Sequence, residues 1–283
     1  MKNISAICYV DDLHPNYSRH LFEFEKNFDY WGAYWWFFYN WKMCYYFIAV
    51  YLIAIFAGHQ FMKSRPPFQL RKALFLWNVS LALFSIICSG RMIPSLVDMF
   101  QENGFHYTLC SPGTVQHKQS IGIWAYWFAL SKVVELGDTA FIILRKTPLI
   151  FLHWYHHVSV LFLVWSSSGC PSTFQAYFAL VNMVVHSVMY SYYALRAIRV
   201  KMPKMVSMTV TMLQLVQMVI GLNIIAIASY MKSKDEHCCL FDQAVWLALG
   251  VYASYLILFG NFFMKRYFPK KPSHDNGALK KTL

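Results

Sequence analysis

Seven apolar stretches, each long enough to cross a bilayer, divide the chain and predict seven helices. They run roughly over residues 43–62, 73–93, 119–143, 149–168, 172–195, 205–231 and 241–264. The intervals between them are short and polar. No internal repeat or low-complexity linker interrupts the pattern. The expected fold class is therefore an all-α polytopic membrane protein, a single integral membrane domain over 1–283 with short tails. The first forty residues are polar and aromatic without an apolar h-region, so no cleavable signal peptide is expected and internal helices would direct insertion.

Composition agrees with this pattern. Charged residues are only 13% of the chain, where a soluble protein carries roughly twice that share. Ten Trp and 19 Tyr supply the amphipathic rings favoured at membrane interfaces. These values exclude an ordinary soluble domain.

The charges are distributed unevenly. One set of loops holds Lys63, Arg65, Arg71 and Lys72, then Arg145 and Lys146, then Arg196, Arg199, Lys201 and Lys204. The tail adds Lys265, Arg266, Lys270, Lys271, Lys280 and Lys281, with Asp275 the one acid of the set. The opposite loops and the N-terminal segment carry most of the acids. By the positive-inside rule the first set is cytosolic, which predicts a lumenal N-terminus and a cytosolic C-terminus. Lys280-Lys281 then stands third and fourth from a cytosolic end, where a dilysine reads as an ER-retrieval signal. Asn3-Ile4-Ser5 and Asn16-Tyr17-Ser18 are glycosylation sequons on the lumenal side. Asn78-Val79-Ser80 falls inside a span and should be silent.

Polar residues interrupt four of the spans. His153, His156 and His157 sit at i, i+3 and i+4, one face of a helix. Ionisable groups at membrane depth are costly and mark function by default. Lys132, Glu135 and Thr139 share another face, with Asp138 at its edge. His186, Met189, Tyr190 and Tyr193 share a third, with Tyr192 nearby, and Thr211, Gln214 and Gln217 follow. At about 1.5 Å per residue, Asp138 lies roughly 10 Å from Arg145 and the histidines roughly 6–12 Å from Leu149. His186 lies roughly 15 Å from Arg196, and the glutamines roughly 14–18 Å from Met205. Four helices thus bring polar groups to one level, which predicts a chamber opening to the cytosol.

Two chemistries suit three clustered imidazoles. Di-iron sites spread about eight histidines over several boxes, and only four of the eleven here lie within spans at this depth. A single metal held by the three histidines with Asp138 or Glu135 stays open. The alternative is nucleophilic catalysis. Neutral imidazole attacks thioesters to form an acyl-imidazole, while neighbouring histidines handle protons and Tyr, Gln or Lys stabilise an oxyanion.

The motifs resemble those of the ELO family of very-long-chain fatty acid elongases, the membrane 3-ketoacyl-CoA synthases of the ER. Lys132-x-x-Glu135-x-x-Asp138-Thr139, His153-x-x-His156-His157, His186-x-x-Met189-Tyr190-x-Tyr192-Tyr193 and Thr211-x-x-Gln214-x-x-Gln217 stand in the family's order and spacing. The stretch from Arg145 to His157 is most similar to the branch elongating saturated and monounsaturated chains.

The resemblance implies seven transmembrane helices, six of them an inverted barrel around an acyl tunnel. It implies condensation of a long-chain acyl-CoA with malonyl-CoA, releasing CoA and CO₂, with no cofactor and no metal. His156 matches the acyl-carrying nucleophile, and His186 matches a second histidine facing the acyl carbon. His153, His157 and Asp138 would orient groups or relay protons. Lys132, Glu135, Tyr190, Tyr193, Gln214 and Gln217 would contact substrate, and the basic loops would meet CoA phosphates. A disulfide between two lumenal loops is also implied. It would join Cys110 to Cys238, preferred to Cys239 because Cys239 is nearer the next helix. ER lipid and the other elongation-cycle enzymes are the implied partners, a homodimer is left open, and no nucleic acid is implied.

Overall fold

A computed structural model describes residues 21–110, 119–168, 174–234, 238 and 240–269. Asn3, Asn16, Cys239, Lys280 and Lys281 lie outside the described residues. Helices joined by short turns and coil make up the described residues, with no strand among them. Two short elements come first, α1 (Glu23–Lys26) and α2 (Tyr30–Asn40). There follow α3 (Met43–Met62), α4 (Arg71–Cys110), α5 (Gln119–Val134) and α6 (Gly137–Leu144). The last four are α7 (Phe151–Ser168), α8 (Phe174–Ala197), α9 (Lys204–Lys234) and α10 (Asp242–Tyr267).

Among the described residues, helices fall on each of the seven apolar stretches, and five are long and apolar enough to cross a membrane: α3, α4, residues 175–197 of α8, α9 and α10. The protein is therefore a multi-pass membrane protein. The α5–α6 segment and α7 fall short of that standard. They carry Lys132, Glu135, Asp138 and the three histidines, and α5–α6 is also broken. Backbone polar groups satisfied within helices suit a medium without water, and large apolar side chains point outward. Val50, Ile53 and Phe56 of α3, for example, are about two-thirds exposed and available to lipid.

The helix boundaries differ from the expected ones in two places. The second stretch, expected to end near residue 93, continues as α4 to Cys110, past Pro94. It bends at Gly104, whose φ of 76° is left-handed backbone that glycine adopts without a Cβ clash. The stretch expected to be continuous over 119–143 is interrupted between Val134 and Gly137. There the N–H groups of Leu136, Asp138 and Thr139 bond to carbonyls three residues back, a local 3₁₀ tightening.

Two helix ends on the basic loops close in the same manner. Lys146 and Arg199 take φ of 53° and 68° just beyond α6 and α8. The next N–H groups, of Thr147 and Val200, reach back to Ile142 and Leu195 at 3.0 and 3.1 Å, a Schellman pattern with cations at the negative helix ends.

The long helices pack in sequence around the molecule. α4 lies against α5, α5 against α7, α7 against α10, α10 against α9 and α9 against α8, and α8 packs extensively on α4. α3 packs on α6 and α7. A disulfide joins Cys110, at the end of α4, to Cys238 before α10.

One anchor had no signal in the apolar pattern. Glu25 of α1 is wholly buried. Its carboxylate accepts from Arg91 Nε at 3.0 Å and Nη2 at 2.5 Å, from Trp124 Nε1 at 2.7 Å and from the Phe22 N–H at 2.9 Å. Burial pushes this carboxyl up. The bonds from Arg91, Trp124 and Phe22 outweigh it and hold the group below its ordinary value. The cluster pins the N-terminal helices to α4 and α5.

Candidate active site

The break between α5 and α6 aims the acidic side chains. Gly137 has no Cβ, and a Cβ there would meet the Trp77 ring at 2.7 Å. The indole of α4 therefore lies directly over the break, and its Nε1 donates to Asp138 Oδ1 at 2.6 Å. Tyr190 Oη of α8 donates to Oδ2 at 2.8 Å. Both oxygens of Asp138 are thus held by donors from two other helices.

One turn earlier, Lys132 and Glu135 form a buried ion pair at 2.7 Å. Glu135 Oε1 also accepts from Ser131 Oγ at 3.2 Å, and Lys132 Nζ donates to Asn182 Oδ1 at 2.8 Å. Asn182 Nδ2 meets His186 Nε2 at 3.1 Å, so α5 is connected to the second histidine through an amide.

The histidine box lies on α7. His153 Nε2 pairs with Thr139 Oγ1 at 2.9 Å, and Tyr51 Oη of α3 meets the same hydroxyl at 2.8 Å. The rings of His153 and His157 lie 4.5 Å apart, and those of His156 and His157 lie 5.5 Å apart. The ring of Tyr255, on α10, lies 5.0 Å from that of His156, and its hydroxyl donates to the His156 carbonyl at 3.2 Å. Three buried polar atoms among the described residues have no hydrogen-bond partner: Glu135 Oε2, His157 Nδ1 and His186 Nδ1. No set of three His, Cys, Asp or Glu side chains among those residues is arranged to hold a metal ion.

These groups surround a cavity of about 400 Å³. It is lined by Glu135, Asp138, His153, His156, His157 and His186. Met189, Tyr190, Tyr192 and Tyr193 of α8 and Thr211, Gln214 and Gln217 of α9 complete the polar wall, and Arg266 and Tyr267 of α10 add to it. A second cavity of about 110 Å³ has a mostly apolar and aromatic lining that includes Phe128, Val160, Phe178 and Tyr252. His156, Asn182, Gln217 and Met218 line both.

Most of the residues singled out from the sequence therefore meet at one place. Lys132 differs. It lines neither cavity, because its ammonium is covered by Glu135, Asn182 and the Phe128 ring 4.4 Å away. Asn182, Tyr255, Trp77 and Tyr51 were not singled out, and Arg266 was read only as one of the basic residues after the last span. Asn182 carried a signal, since it precedes His186 by four residues on the same helical face. Trp77 and Tyr51 carried none. They belong to helices without site motifs and become partners only by packing.

The chain matches the ELO family, described as the GNS1/SUR4 family, over residues 36–275. It is 43% identical over 255 residues to very long chain fatty acid elongase 6 of Drosophila melanogaster, covering 89% of this chain and 80% of that protein. Human very long chain fatty acid elongase 6 is 41% identical over 249 residues, covering 88% and 93%. Human very long chain fatty acid elongase 3 is 40% identical over 233 residues, covering 82% and 85%. The chain belongs to the ELO family.

Proposed function

We propose that the chain is a very-long-chain fatty acid elongase, a membrane 3-ketoacyl-CoA synthase. It condenses a long-chain acyl-CoA, saturated or monounsaturated, with malonyl-CoA. One observation carries the reading: His156 stands where the polar chamber and the apolar cavity share a wall. A nucleophile there meets the thioester with the CoA on its polar side and the acyl chain on its apolar side.

Neutral His156 attacks the thioester carbonyl, and the carbon–sulfur bond breaks. CoA leaves as thiolate and takes up a proton. Asn182 and Gln217, which share the neck, supply amide donors for the oxyanion. Malonyl-CoA then loses CO₂, and its C2 carbanion attacks the acyl carbon. The acyl–nitrogen bond breaks and the imidazole returns. One proton is consumed per turnover. His153, His157, His186 and Asp138 orient the reacting groups or relay that proton. Tyr190, Tyr193, Gln214, Gln217 and Glu135 contact substrate, and Lys132 acts through Glu135 and Asn182 as a positioning residue. No metal or cofactor enters these steps.

The cyclic packing order of α4, α5, α7, α10, α9 and α8, with α3 outside it, supports seven spans with six arranged as an inverted barrel around an acyl tunnel. The basic loops support a lumenal N-terminus and a cytosolic C-terminus in the ER membrane. We include in this reading glycosylation at Asn3 and Asn16, retrieval through Lys280 and Lys281, and association with the other elongation enzymes.

The test is elongation with radiolabelled malonyl-CoA in the presence and absence of chelator. The wild type should form labelled 3-ketoacyl-CoA under both conditions. With acyl-CoA alone it should release free CoA and carry an acyl adduct on the His156 peptide, and His156→Ala should do neither. Release of CoA by that variant at the wild-type rate would refute the assignment.

A further inference from the structure

The second cavity follows one face of α7, touching His156, Val160, Leu163, Ser167 and Ser168 in turn. Toward its far end it is lined by an element outside the packed ring of long helices. Tyr30, Ala33, Tyr34 and Phe37, all on α2, line it there. The floor is a helix that precedes the first span.

That helix is held firmly. Phe37 is buried in the core beside Cys44, Ala129, Leu161 and Trp165, its ring 5.2 Å from that of Trp165 and 5.6 Å from that of Tyr126. Tyr30 and Tyr34 stack one turn apart with ring centroids 6.4 Å apart. Asp29 caps the helix start by accepting from the Gly32 N–H at 2.8 Å. Just upstream, Glu25 is bound by Arg91 and Trp124. The floor is fixed at both ends and cannot recede without breaking a buried ion pair or emptying a core position.

We propose that α2 is the ruler of this enzyme, and that Tyr34, with Tyr30 and Ala33, sets the longest acyl chain accepted. This rests on the elongase reading above. The geometry gives a length. From His156 to Ser168 is twelve residues, or about 18 Å along the helix. An extended acyl chain advances about 1.3 Å for each carbon–carbon bond of ~1.5 Å. The wall from His156 to Ser168 therefore matches the length of an extended chain of about fifteen carbons beyond the acylated nitrogen. Longer chains must push into the Tyr30–Tyr34 stack or fold back, and each excluded methylene lowers productive binding by roughly fourfold.

The test uses the full-length protein and a panel of saturated acyl-CoAs of increasing length, reading the ratio of rates on the longest and shortest. Tyr34→Ala should raise that ratio about tenfold or more, and Ala33→Leu should lower it similarly. If Tyr34→Ala fails to fold, Ala33→Leu decides. Ratios within twofold of wild type overturn the proposal. A second readout needs no turnover. An acyl-CoA of about fifteen carbons, as the geometry requires, with a photoreactive group on its terminal carbon should label the peptide containing Tyr30–Phe37. Labelling confined to other helices overturns the ruler. A wild type that elongates no acyl-CoA yet labels α2 would sink the elongase reading, and the ruler with it, and keep only the placement of the acyl chain end at α2.

Discussion

Tyr190 Oη donates to Asp138 Oδ2 at 2.8 Å across the contact between α8 and α6. Two motifs 52 residues apart are thereby fastened to one carboxylate, whose other oxygen is held by Trp77. A carboxylate bound on both oxygens in a buried site is a hinge pin for the helices around it. Hydrogen bonds to charged groups contribute about 1.5–3 kcal/mol each. Tyr190→Phe should therefore destabilise the protein by about that amount in denaturation of the detergent-solubilised enzyme. Combining it with Asp138→Asn should cost less than the sum of the two single changes. Strict additivity would mean that the two groups do not interact.

The Lys132–Glu135 pair is the next load on the same segment. Both side chains are almost wholly buried, at 1% and 2% exposure, so neither charge is screened by solvent. Lys132→Met leaves Glu135 uncompensated and should cost about 3–5 kcal/mol of stability. Adding Glu135→Leu should restore most of that loss, because an apolar pair of similar volume replaces a buried ion pair at little net cost. The double variant should remain poorly active, since Asn182 and His186 lose their reference point. Full activity in the double variant would show that the pair serves stability alone.

Arg266 and Tyr267 stand on the wall of the polar chamber, near the basic end of α10. A guanidinium there is suited to a phosphate-bearing substrate. Arg266→Gln should raise KM for acyl-CoA by about tenfold, the worth of one charged hydrogen bond. It should leave kcat little changed and flatten the dependence of KM on ionic strength. A fall in kcat at unchanged KM would move Arg266 from binding to chemistry.

Glu25 links the N-terminal helices to pH. Its carboxyl is held below its ordinary value of 4.5, so the folded protein binds the proton less readily than the unfolded chain. The stabilisation is complete above that ordinary value and is lost as pH falls through the lower, folded one. Thermal stability should fall as pH drops below 4.5. Glu25→Gln should flatten that limb while lowering stability at neutral pH. An unchanged acid limb in the variant would mean that other carboxylates govern it.

Much of this protein was legible in local pattern. Apolar length located the helices, and the uneven charges of the loops pointed to an orientation. Helical spacing put His153, His156 and His157 on one face and carried the motifs that mark the family. These are properties of single segments, and a segment's length, period and charge are written in consecutive residues.

Other features required partners from distant segments. The break at Gly137 follows from the close approach of Trp77, so a stretch that read as one continuous helix is two. Lys132 has a motif position like that of Glu135, yet packing turns it away from both cavities. Asn182 joins the site because its helix brings it to Lys132, and Glu25 finds Arg91 across 66 residues of sequence. The segment before the first span reads in sequence only as polar and aromatic, and contact with Tyr126 and Trp165 brings its helix to the wall of a cavity. Period and composition act along one helix. Which face meets which neighbour is settled by side-chain shapes packing together across the whole bundle, and that information is distributed over all of its helices at once.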